Sequence, residues 1–191
     1  MDWLLAGLGN PGQEYARTRH NAGFWLLQHW ADSHGLKWQM EKSWKAQTAR
    51  FRIDGLDVGL CLPQDYMNRS GGPVRAMAAF HKIPPARVLA VHDDLDLPPG
   101  TARLKWSGGH GGHNGLRDLD RSLGTRDYWR LRIGIGHPGH RDQVTGYVLS
   151  PPSPEEAGQI GLAMERSLAV LPEFLAGHPE AAQKILHTLE S

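Results

Sequence analysis

The sequence predicts a single α/β domain spanning residues 1–191, and three observations lead there. Short, almost wholly apolar runs alternate with segments in which apolar residues recur every three or four positions. Gly, Pro, Asn and Asp punctuate nearly every change between the two patterns. No linker, internal repeat or low-complexity tract divides the chain, and its 191 residues suffice for one sizeable core.

The elements follow in order. Trp3 to Leu8 reads as a buried strand ended by Gly9, Asn10, Pro11 and Gly12. From about His20 to His34, Phe24, Leu27 and Ala31 keep helical spacing, and Gly35 stops the helix. Residues 45–53 and 56–62 form a hairpin across Asp54-Gly55. Ser70 to His81 is a helix whose first residue serves as a cap, and Val88 to His92 is a strand buried on both faces. Arg103 to Trp106 is a further strand that runs into a loop holding Gly108, Gly109, Gly111, Gly112 and Gly115. A helix from Leu116 to Leu123 and a strand from Trp129 to Ile135 come next. Ser153-Pro154-Glu155-Glu156 is a capping box opening a helix with the stripe Ala157, Ile160, Met164, Leu168 and Leu171. Pro172 is expected to kink or end that helix, and a last one follows Pro179.

Composition narrows the function classes. Hydrophobic residues make up 40% and charged residues 21%, close to the globular average. No apolar run approaches the ~18 residues of a membrane span, and the start of the chain lacks the basic and apolar regions of a secretory leader. The lone cysteine, Cys61, lies in an apolar strand, which suits a buried thiol in a reducing compartment. The formal net charge of +1 hides an asymmetry. Residues 101–132 hold seven basic and three acidic side chains, a net +4, and residues 151–191 hold six Glu against Arg166 and Lys184, a net −4. The positive segment fits an anionic polymer, or else charges scattered on a solvated face.

The polar residues at strand ends carry the candidate chemistry. Gly7-Leu8-Gly9-Asn10-Pro11-Gly12 matches G-x-G-x-x-G, but the helix starts too late to receive a pyrophosphate, which disfavours a dinucleotide site. His20 sits at a helix start, where the dipole disfavours the imidazolium and leaves a neutral general base. Asp93, at the end of its strand, is placed to orient that ring. His92, Asp93, Asp94 and Asp96 do not match a zinc spacing, so no metal is expected. Ser70 lacks the G-x-S-x-G elbow and Cys61 an activating setting. A base without a nucleophile points to direct attack by water, with the amides of Asn10, Asn68 and Asn114 as positioners.

Six ordered segments carry a resemblance: Gly7–Gly12 with Tyr15, Thr18–Gly23, Tyr66–Gly71, His92–Asp96, Gly108–Gly115 and Arg130–Pro138. Over nearly its whole length the chain resembles bacterial peptidyl-tRNA hydrolase. That resemblance implies a monomer with a central mixed sheet flanked by helices in three layers (α/β/α), and a cytoplasmic enzyme without a cofactor. The implied reaction is hydrolysis of the ester joining a peptide to the 3′ end of tRNA. Carried over, His20 is the base, Asp93 orients it, and Asn10 distinguishes peptidyl from free aminoacyl substrate. Asn68 and Asn114 bind around the ester, Tyr15, Tyr66 and Met67 shape the groove, and His113 supports the loop. Lys105 and Arg132 clamp a tRNA phosphate. The chain departs from the family at Gln64-Asp65, at Arg69 and over Lys42–Lys45, which leaves peptide preference open. A non-catalytic RNA-binding relative and, further off, a nucleotide-dependent oxidoreductase are the alternatives.

Overall fold

The computed structural model describes residues 1–188; the last three residues of the predicted domain lie outside the described residues. β1 (Trp3–Gly7) lies in the middle of a seven-stranded sheet, counted among the described residues. It pairs in parallel with β4 (Leu56–Pro63) on one side and β5 (Val88–Asp94) on the other. β7 (Trp129–Gly134) adds in parallel to β5. The margins are antiparallel: β2 (Gln39–Glu41) and β3 (Ala46–Ile53) extend the β4 side, and β6 (Ala102–Trp106) closes the β7 side. The order is therefore β2-β3-β4-β1-β5-β7-β6, the mixed sheet that was expected.

Strand periodicity divides the core into two sides. Trp3, Leu5, Leu89, Val91, Leu131 and Ile133 face α1 (Ala22–Ser33), α5 (Pro154–Leu175) and α6 (Pro179–Thr188). Leu4, Ala6, Val88 and Ala90 face α2 (Gly71–Phe80) and α3 (Asn114–Leu123). Because the inner parallel strands are covered on both faces, their apolar runs are nearly continuous. The β3–β4 hairpin turns on Asp54 and Gly55 at φ 50° and 80°, the mirror-image turn that matches strand twist.

Several elements differ from expectation. His20 belongs to a short 3-10 turn, Arg19–Asn21, and α1 begins at Ala22. The Ser70 hydroxyl does not cap α2; it donates back to the Met67 carbonyl at 2.7 Å. The capping box of α5 is present, but the helix runs through Pro172 to Leu175. Aromatic packing holds that last turn: Phe174 sits 5.0 Å from Trp3 and 5.1 Å from Trp129, and Trp3 Nε1 donates to the Leu175 carbonyl. Its buried stripe is Ile160, Ala163, Ser167, Val170, Leu171 and Phe174, whereas Ala157 is exposed and Met164 and Leu168 lie at the margin. β2 and α4 (Val144–Val148) were not anticipated.

Candidate active site

The connections from β1 and from β4 leave on opposite sides of the sheet, and a crevice opens beyond the carboxyl ends of β4, β1 and β5. Close packing brings the start of α1 to this crevice. A side chain at Gly23 would sit 2.2 Å from the Val91 carbonyl oxygen, and one at Gly7 2.5 Å from the Gly23 carbonyl oxygen. Gly7 therefore serves helix-to-sheet approach, not a phosphate. The chain beyond β1 is fixed by Asn21, whose carboxamide accepts from Asn10 N and donates to Asn10 O, each at 2.9 Å. Asn10 Oδ1 in turn accepts from Met67 N at 2.7 Å. This bond fixes the orientation of the Asn10 amide and leaves its NH2 to face the crevice.

Asp93, buried at the end of β5, collects imidazoles from two other segments. His20 Nδ1 lies 2.9 and 3.1 Å from its two oxygens, and His113 Nε2 lies 2.8 Å from Oδ1. The His113 tautomer follows from its other nitrogen. His113 is the N-cap of α3, and its Nδ1 accepts from Gly115 N and Leu116 N, so Nε2 carries the hydrogen and donates to Asp93. His20 likewise donates from Nδ1, which leaves the Nε2 lone pair without an internal partner among the described residues. His92, next along β5, donates from Nδ1 to the Asp93 carbonyl oxygen, and its Nε2 is buried without an internal partner among the described residues.

The electrostatics revise one expectation. Burial by itself would push the His20 imidazole down, but the charge and hydrogen bond of Asp93 outweigh it and hold the group above its ordinary value. Asp93, not a helix terminus, therefore governs the ring. Burial would push the Asp93 carboxyl up, yet the two imidazoles hold it well below the usual carboxylate range. Burial pushes His92 down to about 4, a shift to which His113 adds, so it stays neutral in the fold. Cys61 is buried and pushed up to about 12, an inert thiol as expected.

The crevice is a cleft of about 400 Å3. It gathers Asn10, His20, Tyr66, Met67, Asn68, Asp93, Lys105, His113, Asn114 and Arg132 from the sequence-selected residues. Tyr15 does not line it; its ring meets Tyr66 edge-on at 6.3 Å, at the rim. Asn68 and Asn114 are exposed, with carboxamides that make no internal hydrogen bond among the described residues. Met67 is buried, and a side chain at Gly115 would press to 2.6 Å from its sulfur. α4 and the residue after it add an apolar wall through Val144, Val148 and Leu149.

At the far side of the cleft the sheet itself is basic. Cross-strand register pairs Arg103 with Arg132 and Lys105 with Arg130, which puts four cations on one face of β6 and β7. They differ in use. Arg130 is buried beside the Tyr128 ring and donates to the Gly109 carbonyl, tying the glycine-rich loop to the sheet. Arg132 donates from Nε to Asp94 at 2.7 Å, so this expected phosphate ligand already holds one acidic partner. Lys105 is exposed and lies against Gly108, where a side chain would come within 2.8 Å of its Nζ. The departing residues sit outside this centre: Asp65 faces Lys45 at 3.7 Å, and Arg69 is exposed.

Two supporting residues escaped the sequence reading. Asn21 gave no signal beyond being an amide at a helix start. Arg19, preceding the base, is buried and reaches Ser150 Oγ at 2.6 Å, the Tyr147 carbonyl at 3.0 Å and Glu156 at 3.1 Å. His20, Asp93 and His113 are also the described group whose ligand atoms, within 4.8 Å of one another, suit a cation. A cation there would have to displace the two protons that bind both rings to Asp93.

Comparison with known proteins gives the family of the chain. The sequence profile of the peptidyl-tRNA hydrolase family matches residues 4–191. The chain is 69% identical over 188 residues to the peptidyl-tRNA hydrolase of Acidithiobacillus ferrooxidans, covering 98% of this chain and 100% of that one. It is 52% identical over 184 residues to that of Halorhodospira halophila, covering 96% and 95%. A crystal structure of peptidyl-tRNA hydrolase from Acinetobacter baumannii superimposes with a TM-score of 0.94 at 43% identity, over 97% of this chain and 94% of that one. The family profile over residues 4–191, with these relatives matched nearly end to end, places the chain in the peptidyl-tRNA hydrolase family.

Proposed function

We propose that this chain hydrolyses the ester between a peptide and the 3′ ribose of tRNA, with His20 as general base. The observation that carries the reading is the His20–Asp93 pair, which holds one imidazole nitrogen and leaves the other open to a cleft. Water in that cleft gives a proton to His20 Nε2 as its oxygen bonds to the ester carbonyl carbon. The amides of Asn68 and Asn114, free of internal hydrogen bonds among the described residues, are the donors available to the carbonyl oxygen as it gains charge. Collapse breaks the bond to the ribose oxygen, which takes the proton back from the imidazolium. General-base catalysis of this kind contributes roughly 10²–10⁴-fold. No step calls on a nucleophilic side chain or a cofactor.

Lys105 and Arg132 suit the tRNA phosphate that enters from the β6–β7 side, and the Asn10 NH2, its Oδ1 being held by Met67 N, suits the carbonyl oxygen of the acyl group on the peptide nitrogen. The chain acts as a monomer in the cytoplasm; the buried thiol Cys61 is compatible with that compartment, and light scattering and fractionation check the two statements. No helix among the described residues is long and apolar enough to cross a membrane. The direct test is incubation with N-acetyl-aminoacyl-tRNA in excess EDTA. Release of free tRNA is expected, and its absence would leave a binding protein. A rate restored only by a divalent cation would turn the His20–Asp93–His113 group into a metal centre.

A further inference from the structure

Three consecutive residues of the 3-10 turn that carries the base tie it in three directions. Asn21 holds the loop after β1 through both backbone groups of Asn10, and His20 holds Asp93 at the end of β5. Arg19 holds α4 and the two residues after it. Its backbone N donates to the Ser150 carbonyl at 3.0 Å, while Nη1 donates to Ser150 Oγ at 2.6 Å and to the Tyr147 carbonyl at 3.0 Å. Nη2 meets Glu156 Oε1 at 3.1 Å, and the guanidinium stacks 3.8 Å above the Tyr147 ring. The Tyr147 hydroxyl adds one more tie, to the Ile135 carbonyl at 2.6 Å. α4 depends on such ties, because it has five residues and buries only Val148. A helix that short has no stability of its own. Yet Val144, Val148 and Leu149 form the apolar wall of the catalytic cleft.

This is not the arrangement that stability alone favours. Arg19 is 7% exposed, and its Nε is buried without a hydrogen-bond partner among the described residues. An orphaned donor on a desolvated cation opposes folding, and an apolar side chain of similar volume is often no worse in such a place. Resting on the hydrolase reading above, we infer that Arg19 is a positioning residue for the reaction, fixing the base and the cleft wall relative to each other. Arg19 and His20 share one short turn, so a shift of α4 is transmitted to the imidazole. Loss of the guanidinium frees the wall to move off the cleft, and His20 Nε2 then meets water in the wrong place. Lys105 and Arg132, on β6 and β7, take no part in these contacts and stay available to tRNA. Asp93, not Arg19, sets the proton affinity of His20, so the position of the base changes without its charge.

The test is single-turnover hydrolysis of N-acetyl-aminoacyl-tRNA across pH, with tRNA affinity and thermal unfolding measured on the same proteins. Arg19→Lys keeps the charge, but one nitrogen cannot reach Ser150, Tyr147 and Glu156 together. Well below its unfolding temperature its rate should fall about 10–10²-fold, the scale of a displacement of about 1 Å, with tRNA affinity within about twofold of wild type. The acid limb of its pH profile should stay at the wild-type position. Ser150→Ala removes a single acceptor and should cost about threefold in the wild type but nothing further beside Arg19→Ala. A role in stability alone would lower the unfolding temperature and leave the rate of the folded protein unchanged, which would overturn the inference. A rate loss matched by lost tRNA affinity, or a moved acid limb, would overturn it too. If neither replacement of Arg19 folds, Ser150→Ala decides on the same criteria. Wild-type protein unable to hydrolyse N-acetyl-aminoacyl-tRNA would overturn the hydrolase reading and this inference with it, whereas active wild type beside unimpaired variants would overturn this inference alone.

Discussion

Asp93→Asn has a consequence set by a residue on a different segment. His113 is locked as an Nε2–H donor because its Nδ1 accepts the first amides of α3. An asparagine at 93 must therefore turn its oxygen to His113, at the 2.8 Å position of Oδ1, and its NH2 to His20 Nδ1, at the 2.9 Å position of Oδ2. Facing a donor, His20 shifts its proton to Nε2 and loses the lone pair that accepts from water. Loss of a charge-assisted bond costs roughly 1.5–3 kcal/mol, and returning the proton to Nδ1, as catalysis requires, would oppose two donors in a buried place and add about 1 kcal/mol. Together these correspond to a fall of about 10²–10³-fold in the single-turnover rate. The diagnostic is a double-mutant cycle. His113→Ala alone should cost about 1 kcal/mol of stability through the lost cap and less than tenfold in rate. With His113 gone, the asparagine can rotate its oxygen to His20, so Asp93→Asn should cost no more than about tenfold in that background. If Asp93→Asn lowers the rate by the same factor with and without His113, the tautomer lock is refuted.

Three further expectations follow from the charges. His20 is held above its ordinary value by Asp93, so the acid limb of the pH–rate profile should lie above 6.5. In Asp93→Ala burial acts unopposed, and the residual activity should show the limb moved to lower pH; an unmoved limb would assign it to another group. His92 is neutral in the fold and pushed down to about 4 from 6.5. The unfolded state therefore takes up its proton first as pH falls, and about 3 kcal/mol of stability should drain away between pH 6.5 and 4. His92→Asn should flatten that part of the denaturation profile, and an equally steep decline would exonerate His92. Lys105→Ala and Arg132→Ala should each raise KM and reduce the salt slope of tRNA binding by about 0.7–0.9. Arg132 should show the smaller effect, because Asp94 already holds its Nε, and unchanged slopes would remove both from the phosphate site.

The sequence made the parallel centre legible because strands buried on both faces leave continuous apolar runs at β1 and β5. The Asp54-Gly55 turn was legible because its backbone conformation restricts residue choice. β2 left no trace, being three largely exposed residues defined only by their pairing with β3. α5 passed through Pro172 because contacts with Trp3 and Trp129, distant in sequence, outweigh one missing amide. In the site, the residue types of His20, Asp93 and the asparagines stood out where strands end. Their electrostatics did not, since the helix-start argument for a neutral His20 yields to a carboxylate 73 positions away. Asn21 and Arg19 were invisible for the same reason: each acts through backbone groups that only the fold brings near.

The central claim is that His20 Nε2 removes the proton from the attacking water. Single-turnover hydrolysis of N-acetyl-aminoacyl-tRNA by His20→Ala, measured beside the affinity for tRNA, tests it most directly. The account predicts a rate lower by at least about 10²-fold with tRNA affinity within about twofold of wild type. A His20→Ala protein that releases the acyl group at the wild-type rate would contradict it.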